Sequence, residues 1–312
     1  MCQDCMLSPF LFSLYIGELI ELLYNSGCTG IYNDEKAPNV MVLLFANDVA
    51  FCADSVYRLQ AMIRILEEFC SKWGLRVNME KTKVMVFRRG GKIKREENFY
   101  YKGKALEIVS YYKYLGIVFS PRLKWSLACK TLAQQASRAM LLMNVHLTRC
   151  KNLSPVVLFE LFDKQIVPIL LYGSEIWGTT ECEVIEKVHK KFLKRVLGVG
   201  QNAPDAFIYG ETGRCPLFVL YYVRCINYWI HILEMDDDRY PKRCYELLKR
   251  LDDMGRHNWA SEVRMLLCKF GFESVWLEQC VPHRSSFIAN FREKLKEYYI
   301  ERWQMQLKIP VN

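Results

Sequence analysis

The chain has 312 residues, of which 51% are hydrophobic, 13% aromatic and 25% charged. These fractions exclude an intrinsically disordered chain and leave room for two or three domains with a sizeable core. The net charge of +9 excludes a strongly acidic surface and suits a phosphate-bearing partner, although solubility alone accounts for such an excess in many proteins.

Ser8-Pro9 opens a helix, with Ser as N-cap and Pro at the first helical position. The apolar set Leu11, Leu14, Tyr15, Leu19, Leu22 and Leu23 carries it to Gly27. A turn-rich gap from Asn33 to Asn39 follows. In Val42 to Phe51, two short apolar runs flank a polar pair, a pattern that predicts a tight hairpin with Asn47 and Asp48 exposed at its tip. Val56, Leu59, Ile63, Leu66, Cys70 and Trp73 then mark one face of a helix closed by Gly74. Arg76–Asn78 and Lys83–Phe87 read as short extended pieces, followed by a basic loop from Arg88 to Arg95. Ala105–Val109 and Tyr114–Ser120 read as strands. This order is that of an α+β unit, a hairpin-containing antiparallel sheet with packed helices.

From about Trp125 the pattern turns helical. Leu127–Val145, Ser154–Leu171 and Glu183–Leu197 carry helical periodicity, and the block from Gln201 to Asn312 is helical and rich in Tyr, Trp and basic residues. The expected division is 1–120, 121–200 and 201–312. Pro216–Leu233 is long and apolar, but Arg224, Asn227 and His231 interrupt it, which favours a buried helix over a membrane span. Lys187, Lys190, Lys191, Lys194 and Arg195 crowd one helix opposite Ile185, Val188, Phe192 and Val196. Three readings stand for that face: solvated surface, phosphate contact, or pairing with Glu181, Glu183 and Glu186. Thirteen scattered cysteines and the lack of a secretory-type run after Met1 favour an intracellular compartment, with nucleus or cytoplasm the expected location. Cys2 and Cys5 lack a partner pair. Cys268, Cys280, His283 and His257 are spaced too irregularly to specify zinc.

Four segments now stand in order. They are Gln3-Asp4-Cys5-Met6-Leu7-Ser8-Pro9, Phe45-Ala46-Asn47-Asp48, the run Gly74-Leu75-Arg76-Val77-Asn78-Met79-Glu80-Lys81-Thr82-Lys83, and Tyr114-Leu115-Gly116-Ile117. Together they resemble the reverse transcriptases of non-LTR (LINE-type) retrotransposons. Pro168–Trp177 with the Lys-rich helix is similar to the thumb and post-polymerase region of these elements, and Gly271–Trp276 to their tail. The resemblance implies a partial polymerase palm, then a helical thumb and tail.

It also implies roles. Gln3, Ser8 and Pro9 would lie under nucleotide and template, although helix initiation accounts for Ser8 and Pro9 by itself. Tyr114, Leu115 and Gly116 would grip the primer. Lys81 would be a general acid toward pyrophosphate, or a surface lysine in a turn. Lys187, Lys190, Lys191, Lys194 and Arg195 would follow the nucleic-acid backbone. RNA template and DNA primer would be the partners, and Mg²⁺ the metal.

Two departures from the family pattern count against catalysis. Asp4 stands where the family has Gly, and Asn47 where it has its first box Asp, so Asp48 alone remains of the pair. Two-metal catalysis needs anionic oxygens, and the Asn47 amide is neutral, so no Mg²⁺ is expected to bind tightly. The chain starts inside the first segment. The upstream metal-binding Asp and the fingers are therefore expected to be missing, as in a 5′-truncated genomic copy. A palm cut in this way is expected to expose Leu43, Phe45 and Phe87. The reading is an inactive remnant of an RNA-directed DNA polymerase, and the alternative is a non-catalytic nucleic-acid-binding module derived from one.

Overall fold

The computed structural model describes residues 8–31, 39–88, 90, 98–147 and 153–307, and of residues 8–13, 146, 147 and 306 the backbone only. The fold is α+β, with short strand pairs at the start and packed helices after them. Two compact units are present. The first comprises residues 1–112, 120–123 and 238–247; the second comprises 113–119, 124–237 and 248–312.

In the first unit, helix α1 (Ser8–Asn25) packs on helix α2 (Val56–Lys72). Ser55 caps α2 by accepting from the Arg58 N–H, and the α2 C-cap Trp73 precedes Gly74 at φ +64, as the 3-4 spacing predicts. The inward face of α1 is Ile16, Leu19 and Leu23; Leu14 and Tyr15 are exposed, contrary to the apolar set read from the sequence. The Tyr15 ring meets the edge of Trp73 at 4.9 Å instead.

Strands β1 (Val42–Phe45) and β2 (Asp48–Phe51) pair antiparallel, with Val42, Leu44, Val49 and Phe51 turned onto the α1–α2 core around Met62, Phe69 and Cys70. The second side of α2 carries Ile63, which joins Val84, Phe99, Tyr101 and Leu106 in a separate cluster. That cluster rests on β3 (Lys83–Val84), β4 (Tyr100–Tyr101), β5 (Lys104–Ala105) and β6 (Glu107–Ile108). The β4–β5 turn is Lys102-Gly103, both at positive φ, the geometry that a two-residue hairpin of native twist requires. Strands β3 and β6 pair parallel, and Lys83 Nζ meets Glu107 Oε2 at 2.6 Å across them.

A second hairpin joins β7 (Tyr112–Tyr114) to β8 (Ile117–Phe119). In the helical unit, β8 packs on α3 (Ser126–Leu147). Next come α4 (Pro155–Leu161), a single π-helical segment (Phe162–Ile166) and α5 (Val167–Leu170). Pro168 has no N–H for the ladder, and the widened turn immediately before it accommodates that loss. Phe162 is fully buried, its ring stacked at 4.1 Å on Phe192.

Helices α6 (Ser174–Trp177), α7 (Glu183–Val196), α8 (Asp205–Thr212) and α9 (Phe218–Leu233) follow. The apolar segment Pro216–Leu233 contains α9, which is buried along most of its length; no helix among the described residues is long and apolar enough to cross a membrane. Helices α10 (Tyr240–Asp253), α11 (Trp259–Lys269), α12 (Glu273–Glu278) and α13 (Arg284–Leu307) complete the chain.

Candidate nucleic-acid interface and polymerase-type hairpin

The β1–β2 ladder closes at the Phe45–Asp48 pair, so the turn itself is Ala46-Asn47. Ala46 sits at φ +49, a left-handed conformation that is uncommon for a residue with a Cβ. Asn47 and Asp48 are both exposed at the tip, as the sequence pattern predicts. Strand alternation turns Leu43 and Phe45 to the outer face, where Phe45 is 60% exposed; Phe87 is exposed as well.

The donor set at this tip does not fit a resident divalent ion. A hard cation takes several anionic oxygens, and the tip offers one carboxylate, Asp48, beside the neutral Asn47 amide. Among the described residues, no group of three or more His, Cys, Asp or Glu could hold a metal, and Cys268, Cys280 and His283 are not assembled into one. Cys2, Cys5 and Gln3 lie outside the described residues. Ser8 and Pro9 form the start of α1.

Lys81 lies in a turn organised by Asn78, whose Oδ1 accepts from the Glu80 and Lys81 N–H groups at 3.1 and 3.2 Å. The Tyr112 hydroxyl donates to the Lys81 carbonyl at 3.0 Å, so the backbone is fixed while the side chain is exposed. No hydrogen bond or ion pair joins Lys81 to the Asn47–Asp48 tip among the described residues.

The β7–β8 turn is Leu115-Gly116, with both residues at positive φ. It is held from α5–α6. The Tyr172 hydroxyl donates to the Leu115 carbonyl at 2.8 Å, and a Cβ on Gly116 would stand 2.9 Å from the Tyr172 ring. The turn is therefore a built feature, with Tyr172 a positioning residue that the sequence reading missed.

The basic helix α7 is narrower in its free charge than its composition suggests. Lys190 is tied to Glu183 and to Asp205 at 2.8 Å each. Burial works against its charge, but its hydrogen bonds to the two carboxylates outweigh that and hold its ammonium above the usual lysine value. Lys194 is buried and donates to the Gln201 carbonyl at 2.6 Å. Both ammonium groups are therefore engaged within the helical unit. Lys187, Lys191 and Arg195 remain exposed at i, i+4 and i+8, a single stripe.

Glu186 is not a lysine partner either. It accepts from the Tyr209 hydroxyl, from the Leu217 N–H at 2.8 Å and from Nδ1 of the buried His189 at 2.8 Å. Of the basic loop, Arg88 donates its N–H to the Pro121 carbonyl at 2.9 Å, and most of the rest lies outside the described residues.

Residues 1–119 match the family model "Reverse transcriptase (RNA-dependent DNA polymerase)". Over that span the chain is similar to reverse transcriptase domains. It is 25% identical over 182 residues to "Probable RNA-directed DNA polymerase from transposon BS" of Drosophila melanogaster, a match that takes in 56% of this chain. The chain spans about a fifth of the length of that curated relative. No solved structure matches it.

Proposed function

We propose that this chain is a non-catalytic, nucleic-acid-binding derivative of an RNA-directed DNA polymerase. The observation that carries the proposal is the hairpin tip. An exposed hairpin turn with Ala46 at positive φ presents Asn47 and only one acid, Asp48, where two-metal chemistry would need paired carboxylates. Divalent metal use belongs to the family, and a neutral amide in the first metal position removes the anionic oxygen that such chemistry requires.

Nucleic-acid contact does not need that oxygen. Lys187, Lys191 and Arg195 form an exposed cationic stripe that can neutralise backbone phosphates without reading sequence. The decisive experiment is extension of a DNA primer on an RNA template in Mg²⁺ or Mn²⁺, run beside binding of the same duplex at low salt. Binding without extension is expected. Any templated extension overturns the non-catalytic reading, and no binding at low salt overturns the interface.

A further inference from the structure

The face of α2 away from its apolar stripe carries Tyr57, Gln60, Arg64 and Glu67 at 3-4-3 spacing, one continuous line on the helix. Two of these side chains hold the β4–β5 hairpin by its backbone. Gln60 Nε2 donates to the Tyr100 carbonyl, and Gln60 Oε1 accepts from the Tyr100 N–H, both at 2.9 Å. Two turns further on, Glu67 accepts from the Lys102 N–H. Tyr100 is thereby fixed in place with its side chain half exposed, while its neighbour Tyr101 is buried. Helix and hairpin together form an open groove of about 670 Å³, within the range of about 300–1,000 Å³ typical of ligand clefts. Tyr57, Arg64, Tyr100 and Gly103 line it. Tyr57 is 82% exposed, a large ring that contributes nothing to the core. Arg64 is exposed and forms no ion pair among the described residues, whereas Glu67 is engaged with the hairpin backbone. At Gly103 there is open space where a side chain would stand.

We propose that this groove is a stacking site for single-stranded nucleic acid, distinct from the α7 stripe, which belongs to the other compact unit. Tyr57 and Tyr100 supply faces for bases, and because every base has a face to offer, the site tolerates any sequence. Arg64 supplies the phosphate contact, its planar guanidinium matching two oxygens at once. A duplex keeps its bases stacked inside and offers none to the rings. A proline-rich peptide would also use exposed tyrosines, but the unpaired charge in this wall is a guanidinium, which complements phosphate. The proposal rests on the nucleic-acid-binding reading above only for the class of partner.

The test uses the full chain and a fluorescein-labelled uridine oligonucleotide of about 12 residues, long enough to span one such site, followed by anisotropy at two salt concentrations. Tyr57→Ala is expected to weaken binding at least about fivefold, the lower end of what one base–aromatic stack supplies, and Tyr57→Phe to retain it. Arg64→Gln is expected to flatten the log–log salt slope by about 0.7, the share of one phosphate on a single strand. Both positions are exposed, so folding is not at stake in either variant. Neither change should alter duplex affinity, whereas replacing Lys187, Lys191 and Arg195 with Gln should, so the two faces can fail separately. Single-strand affinity that is undetectable, or equal in the parent, Tyr57→Ala and Arg64→Gln, overturns the groove. A labelled oligoproline peptide that binds where the oligonucleotide does not, and is lost with Tyr57→Ala, overturns it as well.

Discussion

The Tyr172 hydroxyl and the Leu115 carbonyl, 57 residues apart in sequence, meet in a 2.8 Å hydrogen bond that fastens the β7–β8 turn to the start of α6. The neighbouring glycines serve the same contact. Gly116 is at φ +87 against the Tyr172 ring, and a Cβ on Gly173 would stand 2.7 Å from Ile117 Cδ1. The β7–β8 hairpin thus depends on a side chain from the following helical segment.

Two substitutions should separate the parts of this contact. Tyr172→Phe keeps the ring and removes one hydrogen bond, so a loss of about 1 kcal/mol in urea unfolding is expected. Faster amide exchange should be confined to the turn. Gly116→Ala adds a Cβ at positive φ and against the ring, and should cost about 1–3 kcal/mol. Equal stability of Gly116→Ala and the parent would mean that Tyr172 does not hold the turn.

At the other hairpin, Asn47→Asp restores a second anionic donor beside Asp48. Mn²⁺ affinity, followed by the loss of free-ion signal in electron paramagnetic resonance, should rise at least about tenfold, or about 1.4 kcal/mol. Adding Asp48→Asn should abolish the gain. A gain that survives that second change would place the ion elsewhere.

These sites differ in how far the sequence reveals them, and the difference is one of range. Ser55 with Gly74, or the apolar–polar–apolar run around Asn47, are local signals, and the elements they specify form where expected. The inward face of α1 was misread because Leu14 and Tyr15 are as apolar as Ile16, and only the position of α2 decides which of them is covered. Helix α7 shows the same limit. Its spacing separates Ile185 and Val188 from the lysines correctly, but Asp205 comes from the next helix and removes Lys190 from the free face.

Asp252 supplies a test in acid. Its carboxylate accepts from Arg264 Nε and an η nitrogen at 2.8 and 2.9 Å and is nearly buried. Those hydrogen bonds hold it below the usual value of 3.8, against the effect of burial. Because the folded-state value is depressed, the unfolded chain takes up the proton first as pH falls. The contribution to stability is therefore full above about pH 4 and is lost as pH drops through the folded-state value. Asp252→Asn should cost about 2 kcal/mol at pH 7 and much less at pH 2.5, flattening the acid limb of the unfolding midpoint. A constant difference at both pH values would assign the loss to packing instead of charge.

The cationic stripe on α7 leads to the sharpest prediction about nucleic acid. Lys187, Lys191 and Arg195 are exposed on one line, while Lys190 on the same helix is engaged with Glu183 and Asp205. Each phosphate neutralised on B-form DNA steepens the log–log dependence of affinity on salt by about 0.9, so three contacts give a change of about 2.7. Replacing the three stripe residues with Gln should weaken binding to unrelated duplexes by the same factor and reduce the salt slope by up to that amount. Lys190→Met should leave the slope unchanged and lower the unfolding midpoint instead, because it removes the ammonium held between Glu183 and Asp205 without exposing a phosphate-binding charge. Titrations of two unrelated duplexes at two salt concentrations, with urea unfolding of both variants, separate the roles. If Lys190→Met flattens the slope as much as the triple substitution does, the stripe is not the binding face.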